Sequence, residues 1–203
     1  MTRIIAGKWR GKRLAVPAGQ DIRPTTDRMR ERLFSMLTHP RYPNLIGSLV
    51  LDAFAGTGAL GLEALSRGAR QATFFEQAPQ NYKVLIGNIA AVGASASEAK
   101  PQRCDSLRPS KAQQPADFIF LDPPYSKDLL APTIAGLARS GWLKDGSILI
   151  CEMAKTDTLT LPLTAGTEAG ESGDDATSQT GNTAIQVSDA PAPLAGFTFT
   201  EHD

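Results

Sequence analysis

The chain has 203 residues, 41% of them apolar, and its 21 Lys/Arg balance 21 Asp/Glu. That composition builds one sizeable core, excludes a wholly disordered chain, and contains no apolar run near the roughly 20 residues that cross a bilayer. Two cysteines, Cys104 and Cys151, with no histidine beside either, spell neither a disulfide framework nor a zinc site. No metal and no membrane are expected, and a reducing cytoplasm is the expected compartment.

The zero net charge conceals a polarity along the chain. Residues 1–45 hold ten Lys/Arg against three acids, a balance of +7, and residues 156–203 hold eight acids and no Lys or Arg. A basic arm for a polyanion and an acidic tail are expected, the alternative being a basic face that is merely solvated. Three zones follow: a basic extension over 1–45, a core over 46–155, and an acidic tail over 156–203.

In chain order, the extension opens with Arg3, Lys8, Arg10, Lys12 and Arg13 around Trp9, whose ring offers a face to an unpaired base. Arg23-Pro24-Thr25-Thr26-Asp27 then precedes Met29, Leu33, Met36 and Leu37 at helical spacing. This predicts a helix starting at Thr26 or Asp27 and closed by His39-Pro40, with a Thr cap and an acid at the positive end of the dipole. Arg23, Arg28 and Arg30 join Arg3, Lys8, Trp9 and Arg10 as candidate contacts to a nucleic-acid polyanion.

From Ser48 to Ala154 apolar runs alternate with amphipathic stretches, the pattern of a mostly parallel sheet flanked by helices. Strands are predicted at 49–53, 72–76, 101–104, 117–121 and 147–152, with helices at 59–67, 79–91 and 128–139. Beyond Lys155, Thr, Ser, Gly, Ala and Asp dominate, and 164–192 reads as a disordered insertion or tail. Gly196 to Thr200 alternates like a strand, so a final strand pair is expected to be incomplete.

Two constellations carry chemistry. In the first, Leu49 to Asp52 leads into Gly56, Gly58 and Gly61, the G-x-G-x-x-G spacing that brings a strand through a tight turn into a helix. Asp52 argues against a dinucleotide, because its fixed charge would face the pyrophosphate. It favours a ligand with an ammonium and a sulfonium and no phosphate, S-adenosylmethionine. Glu76, eighteen residues past Gly58, sits where a carboxylate accepts both ribose hydroxyls, and Asp105 is placed to accept from an adenine amine or else to form an ordinary turn.

In the second, Phe118 to Leu121 delivers Asp122-Pro123-Pro124-Tyr125 to the carboxyl edge of the sheet. An exocyclic amine is a poor nucleophile while its lone pair is delocalised into the base. Hydrogen bonds from its N–H groups to Asp122 and to the Pro123 carbonyl hold the nitrogen nearer to tetrahedral. Pro123 and Pro124 fix the carbonyl's direction, and Tyr125 stacks on the base.

On these residues the sequence resembles class I S-adenosylmethionine-dependent methyltransferases carrying the [DN]-P-P-[FYW] motif. It is similar more narrowly to the RsmD family of bacterial 16S rRNA (guanine(966)-N(2))-methyltransferases. The narrower resemblance rests on Arg3 to Gly11, Arg23 to Glu31, Asp52 to Ala69 and Asp122 to Tyr125, and covers about residues 3–155. It implies a Rossmann-like α/β fold and cofactor contacts at Asp52, Gly56, Gly58, Glu76 and Asp105. It further implies amine activation by Asp122 to Tyr125 and a substrate in 16S rRNA or the small ribosomal subunit. A monomer is expected. The alternatives are a DNA adenine-N6 methyltransferase, disfavoured because no separate target-reading domain is visible, and a non-catalytic RNA-binding assembly factor with the same fold.

Overall fold

The computed structural model describes residues 2–17, 27–124 and 129–152, together with the backbone of 183–187. Two short strands, Thr2–Arg3 (β1) and Arg13–Leu14 (β2), pair antiparallel and precede a helix, Asp27–Leu37 (α1). The core then alternates as Leu49–Asp52 (β3), Ala59–Ser66 (α2), Gln71–Phe75 (β4), Pro79–Val92 (α3), Ala99–Gln102 (β5), Phe118–Leu121 (β6), Leu130–Arg139 (α4) and Ile148–Glu152 (β7). A last strand, Thr183–Val187 (β8), follows.

Strands β3 to β8 form one parallel sheet in the order β5-β4-β3-β6-β7-β8. The chain starts at the centre, steps outward through β4 and β5, then returns to build the other half from β6. That reversal opens a crevice beyond the carboxyl ends of β3 and β6, where ligands of open α/β sheets bind.

Both faces of the sheet are covered, which is why its central strands read as unbroken apolar runs. Val50, Phe74, Phe118, Phe120, Ile148 and Ile150 pack in one cluster with Phe34 of α1, Leu62 of α2 and Leu85 of α3. Leu51, Phe75, Ile119, Leu121, Leu149 and Cys151 pack in the other with Ile134 and Leu137 of α4 and with Trp142. Side-chain parity therefore decides which helix layer each strand residue meets, and residues 52, 122 and 152 share the parity of the α1–α3 face.

Three expectations need correction. The strand expected at 101–104 lies at Ala99–Gln102. β4 bonds the carbonyls of Glu98 and Gln102, so the backbone nitrogen of the intervening odd-numbered Pro101 falls on the unpaired side of an edge strand, where no donor is required. Thr183–Val187, inside the stretch expected to be disordered, pairs parallel with β7 from Ile148↔Thr183 to Glu152↔Val187. Averaged composition hid five residues that include Thr, Ile and Val, good strand formers, beside an edge with open hydrogen-bonding groups. The sheet thus gains a parallel strand beside β7; Gly196 to Thr200, and with it the expected final strand pair, lies outside the described residues.

The third correction concerns the basic extension, which is no free arm. Ile4, Trp9 and Leu14 are buried in the α1–α3 cluster. The backbone N–H groups of Ile5 and Ala6 donate to the two carboxylate oxygens of Glu63 at 2.7 and 3.0 Å, and Trp9 N–H donates to Ser66 Oγ at 3.0 Å. Lys8 pairs with Glu98, at the start of β5, and Lys12 Nζ donates to the Val92 carbonyl at the end of α3. These partners place the hairpin's tip at the amino ends of the strands, opposite the crevice.

Candidate active site

The glycine turn is held by backbone and carboxylate together. Gly56 and Gly58 have φ of +52° and +81°, the left-handed region that favours glycine. A Cβ on Gly58 would meet Leu85 Cδ1 at 2.5 Å, whereas one on Gly56 would meet no atom of another described residue beyond its chain neighbours within 4 Å. Gly58 is therefore favoured by its left-handed backbone and by the closeness of Leu85 on α3, and Gly56 is the glycine that leaves its surroundings open. Asn88 on α3 braces the same turn, its Nδ2 donating to the carbonyls of Thr57 and Ala15 at 2.9 and 3.0 Å.

Asp52, at the end of β3, is 2% exposed, and its Oδ2 accepts the Gly61 N–H at 2.9 Å. Burial pushes its carboxyl up to about 7, the Gly61 bond partly opposing this and the negative charge of Glu76 adding to it. The fixed negative charge expected from the sequence is thus partly neutral in the folded protein, and a cation beside it would draw it into the ionised form. Glu76, at the end of β4, accepts the Gly56 N–H at 3.0 Å on one oxygen and the Ala78 N–H at 2.7 Å on the other. Each carboxylate oxygen has a further lone pair, so both remain capable of accepting a diol. Asp105 is half-buried, and its Oδ1 accepts the Leu107 N–H at 3.0 Å, the ordinary turn that was the alternative for this residue.

Beyond β6, Asp122 is half-buried, Pro123 buried and Pro124 exposed; Tyr125 lies outside the described residues. The register Leu51↔Ile119 and Asp52↔Phe120 sets this segment directly beside the glycine turn. Asp122 lines an open surface hollow with apolar walls from Met29, Leu33, Leu60, Leu121 and Ile150, and with a second acid, Glu152. Glu152, at the end of β7, was missed by the sequence reading. The signal was present: it closes an apolar strand, with the same parity as Asp122. The apolar stripe of α1 was read only as core, yet Met29 and Leu33 wall this pocket.

The expected RNA contacts divide. Trp9 is 8% exposed and packed in the core, with Lys8 Nζ 4.3 Å from its ring centroid, so it presents no stacking face. Arg30 is fully buried, its Nη2 donating to the Arg3 carbonyl at 2.9 Å and to Asp27 Oδ1 at 2.7 Å. It holds β1 to α1 and is withdrawn from any phosphate. Lys8 and Lys12 sit at the amino end of the strands, opposite the crevice. Arg3 is exposed but ion-paired to Asp27, Arg10 and Arg13 are exposed, and Arg23 lies outside the described residues. Arg28 is exposed, and so is Arg32, four residues on and not singled out from the sequence; each immediately precedes a pocket-wall residue of α1.

A parallel sheet whose order reverses between β3 and β6, with a glycine turn on one side of the crevice and Asp122-Pro123-Pro124 on the other, defines a class I methyltransferase. The family profile described as conserved hypothetical protein 95 matches residues 2–172. Ribosomal RNA small subunit methyltransferase D of Escherichia coli (strain K12) is 42% identical over 150 residues, 74% of this chain and 73% of the relative. The protein of the same name from Haemophilus influenzae is 37% identical over 163 residues, covering 79% and 82%. The solved yhhF protein of Escherichia coli, 40% identical, superposes with a TM-score of 0.60 over 71% of this chain and 75% of its own. The chain belongs to this family, as the resemblance of its motifs implied. No described helix is long and apolar enough to cross a membrane.

Proposed function

We propose that this protein transfers the methyl group of S-adenosylmethionine to the N2 amine of a guanine in 16S rRNA, acting as a cytoplasmic monomer while the small ribosomal subunit matures. Membership of the family makes it an S-adenosylmethionine-dependent rRNA methyltransferase. The amine-methylation chemistry rests on the adjacency of the glycine turn and Asp122-Pro123-Pro124 across the β3/β6 reversal, and the finer reading, guanine N2 in the small subunit, on the motif resemblance to the RsmD family and on relatives named for small-subunit rRNA.

The residues present fit the cofactor. Asp52 becomes a full counter-charge on meeting an ammonium, Gly56 lets the backbone approach a nucleoside, and Glu76 has lone pairs for ribose hydroxyls. Asp105 can hold the adenine amine with the oxygen that its turn does not use. When bound, S-adenosylmethionine supplies an electrophilic methyl group on a sulfonium. The protein's own task is to position the amine in line with it and to strengthen the nitrogen as a nucleophile. Asp122 and the Pro123 carbonyl accept the two N–H bonds, and the buried Pro123 ring keeps that carbonyl in place. As the methyl carbon passes to the nitrogen and its bond to sulfur breaks, the nitrogen gains positive charge, which the Asp122 carboxylate would stabilise until the surplus proton passes to solvent water.

Mass spectrometry of nucleosides from small-subunit rRNA, isolated from cells lacking the gene and then incubated with the protein and S-adenosylmethionine, tests the proposal. Appearance of N2-methylguanosine at one site supports it. Methyl transfer to adenine, to DNA, or to nothing at all refutes it.

A further inference from the structure

We infer that Glu152 accepts the N1–H of the target guanine beside Asp122 on the N2 amine, so that the two carboxylates together select guanine. The inference rests on the reading above and names the residue that would make the site specific for one base.

β6 and β7 run in register from Phe118↔Ile148 to Leu121↔Cys151, and one step further along brings Asp122 beside Glu152. Neighbouring strands lie about 4.8 Å apart, and both residues have the parity of the α1–α3 face. Both line the same hollow, whose other lining among the described residues is the apolar side chains of Met29, Leu33, Leu60, Leu121 and Ile150. Apolar walls suit the faces of a flat ring, and two acids side by side suit an edge bearing consecutive hydrogen-bond donors.

Among the four bases only guanine presents a ring N–H directly beside an exocyclic amine. Adenine and cytosine present their amine beside a bare ring nitrogen, an acceptor whose lone pair would face the Glu152 carboxylate. Such a base would set a ring-nitrogen lone pair against the carboxylate, a repulsion that the N1–H of guanine turns into attraction. Asp122 alone serves any exocyclic amine; it is the second acid that distinguishes them.

The test uses the full chain and two rRNA fragments, one with guanine at the methylated position and one with 2-aminopurine there. The analogue keeps the 2-amine but has a bare N1. Wild-type protein should favour guanine strongly in kcat/KM. Glu152→Gln should lose about tenfold or more on guanine while its guanine-over-aminopurine preference narrows or reverses, because the amide N–H can donate to the bare N1. Glu152→Ala should lose on guanine without gaining on the analogue, and both variants should bind S-adenosylmethionine as the wild type does in calorimetry. Equal losses of Glu152→Gln on both fragments, or no loss on guanine, overturn the assignment. If the wild-type product is not N2-methylguanosine, the underlying reading falls and this inference with it; the wild-type arm alone reveals that.

Discussion

Glu63 and Asp52 are both buried carboxylates on the same side of the sheet, 0% and 2% exposed, yet they do different work. Glu63 accepts from Ile5 N–H, Ala6 N–H and, at 2.7 Å, Arg67 Nε. Asp52 accepts the Gly61 N–H alone among the described residues. A buried acid whose oxygens are satisfied by its own chain is a rivet; one that burial holds near neutrality is a seat for a cation. The contrast distinguishes the anchored basic extension from the crevice that the sequence motifs point to.

The largest effect expected is at the rivet. Deleting residues 1–13 removes two donors to Glu63 together with the buried Ile4 and Trp9. Breaking one side of a buried charged network costs about 3–5 kcal/mol, so the truncated protein should melt far below the full chain, or fail to accumulate folded, and lose cofactor binding with it. Wild-type melting combined with weaker RNA binding would show that the arm is an RNA handle after all.

Next in size is Asp122→Ala. Loss of a hydrogen bond to a charged group at the reacting nitrogen should lower kcat/KM by about 1–3 kcal/mol, with melting temperature and cofactor affinity nearly unchanged. Steady-state methyl transfer alongside calorimetry checks this, and unaltered turnover would remove Asp122 from the chemistry.

Asp52 should reveal itself through pH. The folded protein holds this proton to about pH 7, whereas the unfolded chain releases it near the ordinary value of 3.8. The stabilisation from the neutral carboxyl is therefore full below pH 3.8 and lost as pH rises through 7. Cofactor affinity should run the other way, tightening by at most about tenfold per pH unit up to pH 7 as the anion becomes available. Asp52→Asn should flatten both dependences, raising the cofactor-free melting temperature at pH 8 while weakening cofactor binding. Denaturation and titration curves at pH 6 and pH 8 decide it; a pH-independent affinity in the wild type would place the counter-charge elsewhere.

The smallest effect concerns the approach of RNA. Arg28 and Arg32 lie beside the wall of the Asp122 pocket, far from the Lys8–Lys12 tip. Replacing both with Ala should reduce the salt dependence of RNA binding by about 0.7 log unit of slope per lost single-strand phosphate contact, leaving stability alone. The same change from Arg10→Ala with Arg13→Ala, and none from Arg28 and Arg32, would move the RNA face to the hairpin.

Local pattern was sufficient for the core strands and for both motifs. Apolar runs buried on two faces, glycine turns and strand ends are features of neighbouring residues, so Leu49 to Gly61 and Phe118 to Pro124 were legible without any tertiary contact. It was not sufficient for charge. A run of Lys and Arg looks the same whether it faces solvent or straps a helix, and Trp9, Arg30 and Lys12 acquired their structural roles only from Ser66, Asp27 and Val92, partners 57, 3 and 80 residues away in the chain. Glu152 became a candidate in the same way, because the pairing of β6 with β7 brings together two acids 30 positions apart. Burial and register are properties of the folded chain, and they decide whether a charged residue is a strap, a seat or an exposed contact.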